Sequence, residues 1–155
     1  MKLQVTHQMI ELTRNLEYLV LEVSKYVSET SDEILSGKTN PEKWSKKEIL
    51  GHLIDSGINN LQRFTEIQFA ERPYKLVSYN QNELVKANQY QIADSGEILD
   101  LLQAINRRII QVVKSLPEKF LEYKIVADNG TSFNLIFLIE DYVNHFEHHA
   151  KQIVE

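Results

Sequence analysis

The chain has no cysteine among its 155 residues, so disulfides, thiolate metal ligation and a cysteine nucleophile are all excluded. That absence leaves the redox compartment open. Proline occurs three times and glycine five times, and no low-complexity linker, repeat or break in composition is visible. A surplus of basic charge is also missing. The formal net charge is −5 and the pI is near 5.6, whereas non-specific nucleic-acid binding needs a basic surface. No apolar stretch approaches the ~20 residues of a membrane span. Glu11, Arg14 and Glu17 interrupt the N-terminal segment, which therefore does not read as a signal peptide. A cytoplasmic protein without nucleic-acid or membrane partners is expected. What is present is ordinary: 43% hydrophobic and 25% charged residues, in a length that buries a core without staples. One domain over 1–155 is the expectation.

Four long segments carry helical periodicity. The first runs from Leu3 to Val27, with Met9, Leu12, Leu16, Leu19, Val20 and Val23 apolar. The second opens with Ser45 and Glu48 in capping-box spacing and runs to about Ala70, before Arg72-Pro73. The third has Asp94 and Glu97 in the same spacing, then Ile98, Leu99, Leu102, Ile105, Ile109 and Val112, and ends before Pro117. The fourth runs from near Ser132 to the C-terminus. The connections are uneven. Ser28 to Trp44 is polar, and Arg72 to Tyr90 is a long crossover with room for a short helix at Asn82 to Ala87. Asn129-Gly130 between Lys124-Ile125-Val126 and Thr131-Ser132-Phe133 allows a small hairpin before the last helix. The fold class predicted is all-α, a four-helix bundle with uneven crossovers.

Three of the five histidines fall within five residues: His145, His148 and His149. Residues four apart on a helix share a face, so His145 and His149 project side by side, as an HxxxH pair must to share one metal ion. They also continue an inward stripe. Leu135, Leu138, Tyr142, His145, His149 and Gln152 follow one another in steps of three and four. An inward imidazole pair is costly unless each ring is hydrogen-bonded or coordinated. His148 lies about 60° off that line and reads as a flanking residue. Two protein ligands hold a metal weakly. Candidates for a third are His7, His52, Glu48, Asp55 and Asp141, and spacing alone does not choose among them.

The segment from Trp44 to Ser56, WSKKEILGHLIDS, and the segment from Asp141 to Ile153, DYVNHFEHHAKQI, together resemble the DinB superfamily of bacterial metal-binding four-helix proteins. The first is similar to that family's opening of helix two, and the second to its H-x-x-H-H-x-x-Q end. Asn59, Asn60 and Arg63 resemble the polar continuation of helix two. Tyr79-Asn80-Gln81-Asn82 is similar to a Y-D-Q stretch in relatives, with Asn80 where they have an acid; an ordinary turn and helix cap explains it equally. The resemblance implies His52, His145 and His149 as ligands of a divalent metal, nickel or zinc. It also implies a small-molecule substrate and allows a homodimer.

Three neutral imidazoles leave coordination positions open, as in a catalytic rather than a closed structural site. A metal there lowers the pKa of a bound water or thiol. Relatives that transfer low-molecular-weight thiols favour thiol S-transfer or conjugation; hydrolysis by activated water is the second enzymatic reading. Asp55, Asp141 and Gln152 are candidates for orienting rings or substrate. Glu48 is more cheaply read as a cap than as a base. The alternative is a non-catalytic, dimerising, stress-related bundle that binds metal or ligand without turnover.

Overall fold

Caps decide where most of the helices begin. The structure, a computed structural model, describes residues 2–155, with side-chain surroundings from residue 7 onward. Helix α1 spans Lys2–Glu29, and α2 is the five-residue helix Asp32–Ser36. Helix α3, Lys46–Glu66, opens on the expected capping box: Ser45 accepts from the Glu48 amide, and Glu48 accepts from the Ser45 amide. Strand β1 is Tyr74–Leu76 and α4 is Gln81–Ala87. Helix α5, Ser95–Ser115, is capped by Asp94, which accepts from the Glu97 amide. Strands β2, Lys124–Ala127, and β3, Ser132–Asn134, precede α6, Leu135–Val154. None of the described helices is long and apolar enough to cross a membrane.

The four long helices form the expected bundle, and its directions explain the connections. Helix α1 packs on α5 and α6, and so does α3; α1 and α3 are therefore diagonal, as are α5 and α6. Ser24 meets Gln103 and Glu17 meets Lys114, so α1 and α5 are antiparallel. Lys47 reaches the Ala93 carbonyl while Gly57 faces Ile105, so α3 and α5 run the same way. Lys46 reaches the Ile153 carbonyl and His52 faces His145, so α6 opposes α3. A chain that leaves one helix and enters a parallel neighbour must travel back the length of the bundle. Residues 67–94 do this, which is why that connection is the longest.

Between the helices lies a continuous apolar core that includes Leu16, Val23, Leu53, Ile54, Leu102, Ile109, Leu135 and Phe146. Burying such side chains is worth roughly 1.5–3 kcal/mol each before the entropy of ordering them.

The structure departs from the sequence reading at four places. Helix α3 stops at Glu66, short of Ala70, with turns following. Helix α6 starts at Leu135, because Ser132–Asn134 pairs with β2 and the Asn134 side chain then caps the helix by accepting from the Phe137 amide. The hairpin is one part of a three-stranded sheet in which β1 pairs parallel to β2. Gly130, at φ 83° in the β2–β3 turn, occupies the left-handed region that favours glycine. Helix α2 was not anticipated. Five residues are too few to show a period, although Leu35 within it is fully buried.

Candidate metal centre

His52 sits in the second turn of α3, and His145 and His149 lie one turn apart near the end of α6. Because α3 and α6 are antiparallel, the start of one meets the end of the other, and the three rings converge at one end of the bundle. Their centres form a triangle with sides of 4.6, 4.6 and 4.8 Å. The rings stand edge-on to one another, at 73–80°. One ring nitrogen from each lies within 4.8 Å of the others, and the Nε2 atoms of His52 and His145 are 2.9 Å apart. The structure thus brings together the three histidines that the resemblance singled out.

Burial sets the protonation state. His52 is 1% exposed, and loss of solvation, with His145 and His149 adding their charge, pushes its pKa down to about 3. His145 is pushed down to about 4 by burial, with His149 and His148 contributing. His149 is also lowered by burial, partly offset by Gln152. All three rings are therefore neutral near pH 7, the state in which imidazole lone pairs ligate metals.

Orientation is supplied unevenly. His149 Nδ1 is 2.7 Å from Gln152 Oε1, which fixes that ring and leaves its Nε2 free. The Nδ1 atoms of His52 and His145 are buried without a hydrogen-bond partner. Trp44 packs on His52, ring centre to ring centre at 4.9 Å, and closes that side. Two nitrogens on one tetrahedral zinc at about 2.1 Å stand about 3.4 Å apart. The spacing found here needs only small ring adjustments to reach that value, and the donor set fits a divalent ion.

The other candidates go elsewhere. Glu48 accepts from the Ser45 amide and pairs with Lys38 at 2.7 Å, so it is a cap and not a free base. Asp55 Oδ1 accepts from the Tyr90 hydroxyl at 2.7 Å and from Asn88 Nδ2 at 2.8 Å, which ties the crossover to α3. Burial raises the Asp55 carboxyl, and its Oδ2 has no partner. Asp141 is exposed, and His7 lies on the surface of α1, 3.1 Å from Glu11. The inward stripe of α6 rises out of the core along its length: Leu135 and Tyr142 are buried, His145 and His149 half-buried, Gln152 exposed. His148 is exposed, 3.4 Å from Gln152 Nε2. Sequence reasoning did not find Tyr90 and Asn88, because only the crossover's path brings them to α3. Gln89 between them is the one non-glycine residue with positive φ, 55°, among those described.

The fold and site define a four-helix bundle with three histidines converging at one end, and the family follows from the sequence. The DinB superfamily profile matches residues 17–153, and the chain belongs to that superfamily. Among solved structures the fold is similar to YfiT from Bacillus subtilis, with a TM-score of 0.85 and 22% identity, over 95% of this chain and 84% of that one. YfiT is described as "a probable metal-dependent hydrolase with an unusual four-helix bundle topology". The fold is also similar to a mycothiol-dependent maleylpyruvate isomerase, with a TM-score of 0.75 and 12% identity, over 94% of this chain but only 60% of that one. A histidine-to-alanine mutant of the same isomerase matches with a TM-score of 0.74. No curated protein matches in sequence.

Proposed function

We propose that this chain is a metal-dependent enzyme acting on a small molecule, with His52, His145 and His149 holding one divalent ion, nickel or zinc. The observation that carries the reading is the triangle of neutral, edge-on imidazoles, with sides of 4.6–4.8 Å. A divalent ion on three neutral ligands supplies Lewis acidity, lowering the pKa of a thiol or water that binds beside them.

The protein's own groups favour a thiol. Among the described residues no carboxylate joins the histidine cluster, and Glu48 and Asp55 are engaged in the cap and the crossover. A thiol, with a pKa near 8.5, needs only a modest shift to ionise at neutral pH, whereas water needs a much larger one and gains from a nearby base. In the thiol reading the S–H proton leaves to solvent, and the sulfur bonds to an electrophilic carbon of the co-substrate, which either releases a leaving group with its bonding electron pair or opens a π bond that takes up a proton from solvent. Gln152 holds the His149 ring, and Trp44 screens His52 from water. The mycothiol-dependent isomerase among the structural neighbours supports a thiol, and YfiT supports hydrolysis.

Zinc- or nickel-loaded protein offered low-molecular-weight thiols with electrophiles should form thioether or exchanged thiol products, and chelation should abolish this. Hydrolysis of esters or amides without thiol turnover would replace the thiol reading with the water one. Inactivity toward both panels would leave a non-catalytic metal-binding bundle.

A further inference from the structure

The face of α3 that carries His52 continues as Ser56, Asn59 and Arg63, at steps of four, three and four. Helical geometry keeps these four within about 60° of one another around the axis. So polar a stripe reads as solvated, yet Ser56 is buried and Asn59 and Arg63 are only partly exposed. The crossover flanks it. Asn88 and Tyr90 dock on Asp55 at the histidine end, and residues 77–79 lie at Arg63 further along. Arg63 Nη2 donates to the Val77 carbonyl at 2.7 Å, and its guanidinium carbon stands 5.4 Å from the centre of the Tyr79 ring. Nη1 is 3.4 Å from Asn60 Oδ1, three residues earlier, so the side chain leans back toward the histidines.

This cation makes no direct ion pair: among the described residues no carboxylate oxygen lies within 4.0 Å of it. Asp128, whose charge reaches it, is taken by Ser78, accepting from both its amide, at 2.8 Å, and its hydroxyl. Burial disfavours the charged guanidinium, so a partly desolvated cation here gains from a negative partner. Few of its five N–H donors are used, and the unpartnered Nε is not buried, so donors remain for a ligand. Tyr79 also lies near Tyr142, which is buried on α6 one turn before His145. Arg63 and the imidazoles thus mark two ends of one polar strip that the crossover flanks.

We propose that Arg63, with Tyr79 stacked on it, receives a carboxylate of the substrate whose other end reacts at the histidines. The proposal rests on the metal reading above and adds the substrate class. Eleven residues separate His52 from Arg63, about 16 Å along the axis, and the longer backward reach of arginine over histidine brings the two groups to on the order of 10–15 Å apart. The substrate is then an elongated acid with its carboxylate on the order of 10–15 Å from the reacting atom. A carboxylate suits one guanidinium better than a phosphate dianion does, because the charge of Asp128 already reaches it and the chain is acidic.

The test is calorimetric titration of zinc-loaded protein with mercaptooctanoate and with mercaptooctanol, which share the thiol and the length. The acid should bind about tenfold tighter, a typical effect of one charge-assisted pair. Arg63→Gln should erase that preference by weakening the acid alone, with zinc content unchanged. Arg63→Lys should keep part of it, and it stands in if the glutamine variant does not fold. Equal binding of acid and alcohol to the unaltered protein, or a preference that survives in Arg63→Gln, would overturn the proposal. If neither thiol binds, the thiol reading fails on its own, and octanoate titrated into metal-free protein decides this one. Binding lost in Arg63→Gln supports the carboxylate site, and equal or absent binding in both proteins overturns it.

Discussion

The ring of Tyr90 lies against α3 at Gly51, so close that a β-carbon at position 51 would stand 2.0 Å from Tyr90 Cδ2. Glycine at that position lets the ring seat beside His52, and the phenol then reaches Asp55 one turn further along. A single missing side chain thus docks the crossover that flanks the polar face of α3. Gly51→Ala should therefore destabilise the protein, although alanine is the better helix former by about 1 kcal/mol. Thermal melting would check this; a melting temperature equal to or above the parent's would contradict the packing described.

Lys47 is 2% exposed and joins three elements: it pairs with Asp32 of α2 at 2.5 Å and donates to the Ala93 carbonyl just before α5 at 2.9 Å. Truncation to alanine removes a buried aliphatic stem and leaves that carbonyl unpaired. Lys47→Ala should cost about 2–4 kcal/mol in denaturant unfolding. A loss under about 0.5 kcal/mol, the size of an ordinary surface substitution, would mean that the site relaxes around the gap.

The histidines predict an acid limb in the stability of the metal-free protein. His52 and His145 titrate at about 3 and about 4 in the folded chain, below the ordinary value of 6.5. The unfolded chain therefore takes up protons first as pH falls below about 6.5. Stability is complete above that pH and declines by up to about 1.4 kcal/mol per pH unit for each ring down to the folded values. Replacing His52 and His145 by asparagine should flatten the melting temperature between pH 7 and pH 5. An equally steep decline in that variant would assign the effect to other groups.

Much of this was legible in the sequence, for identifiable reasons. The four long helices carry enough turns for their periods to show, and Ser45 and Asp94 mark two starts by chemistry that depends on neighbours alone. The His145/His149 pair was readable from spacing. Its convergence with His52 was not, because it depends on α3 and α6 being antiparallel neighbours, and only the resemblance supplied it. Strand β1 could not be read: three residues gain their regularity from pairing with β2, some fifty positions away. The docking of Tyr90 and Asn88 on Asp55 was equally hidden, since it follows from the route of the crossover and from Gly51.

The central claim is that the three converging imidazoles hold one ion, and elemental analysis of the purified, dialysed protein tests it most directly. About one nickel or zinc per chain is predicted, falling sharply in His52→Ala, His145→Ala and His149→Ala and unchanged in His148→Ala. A protein that retains neither metal, or whose metal content is indifferent to those three substitutions, would contradict the account.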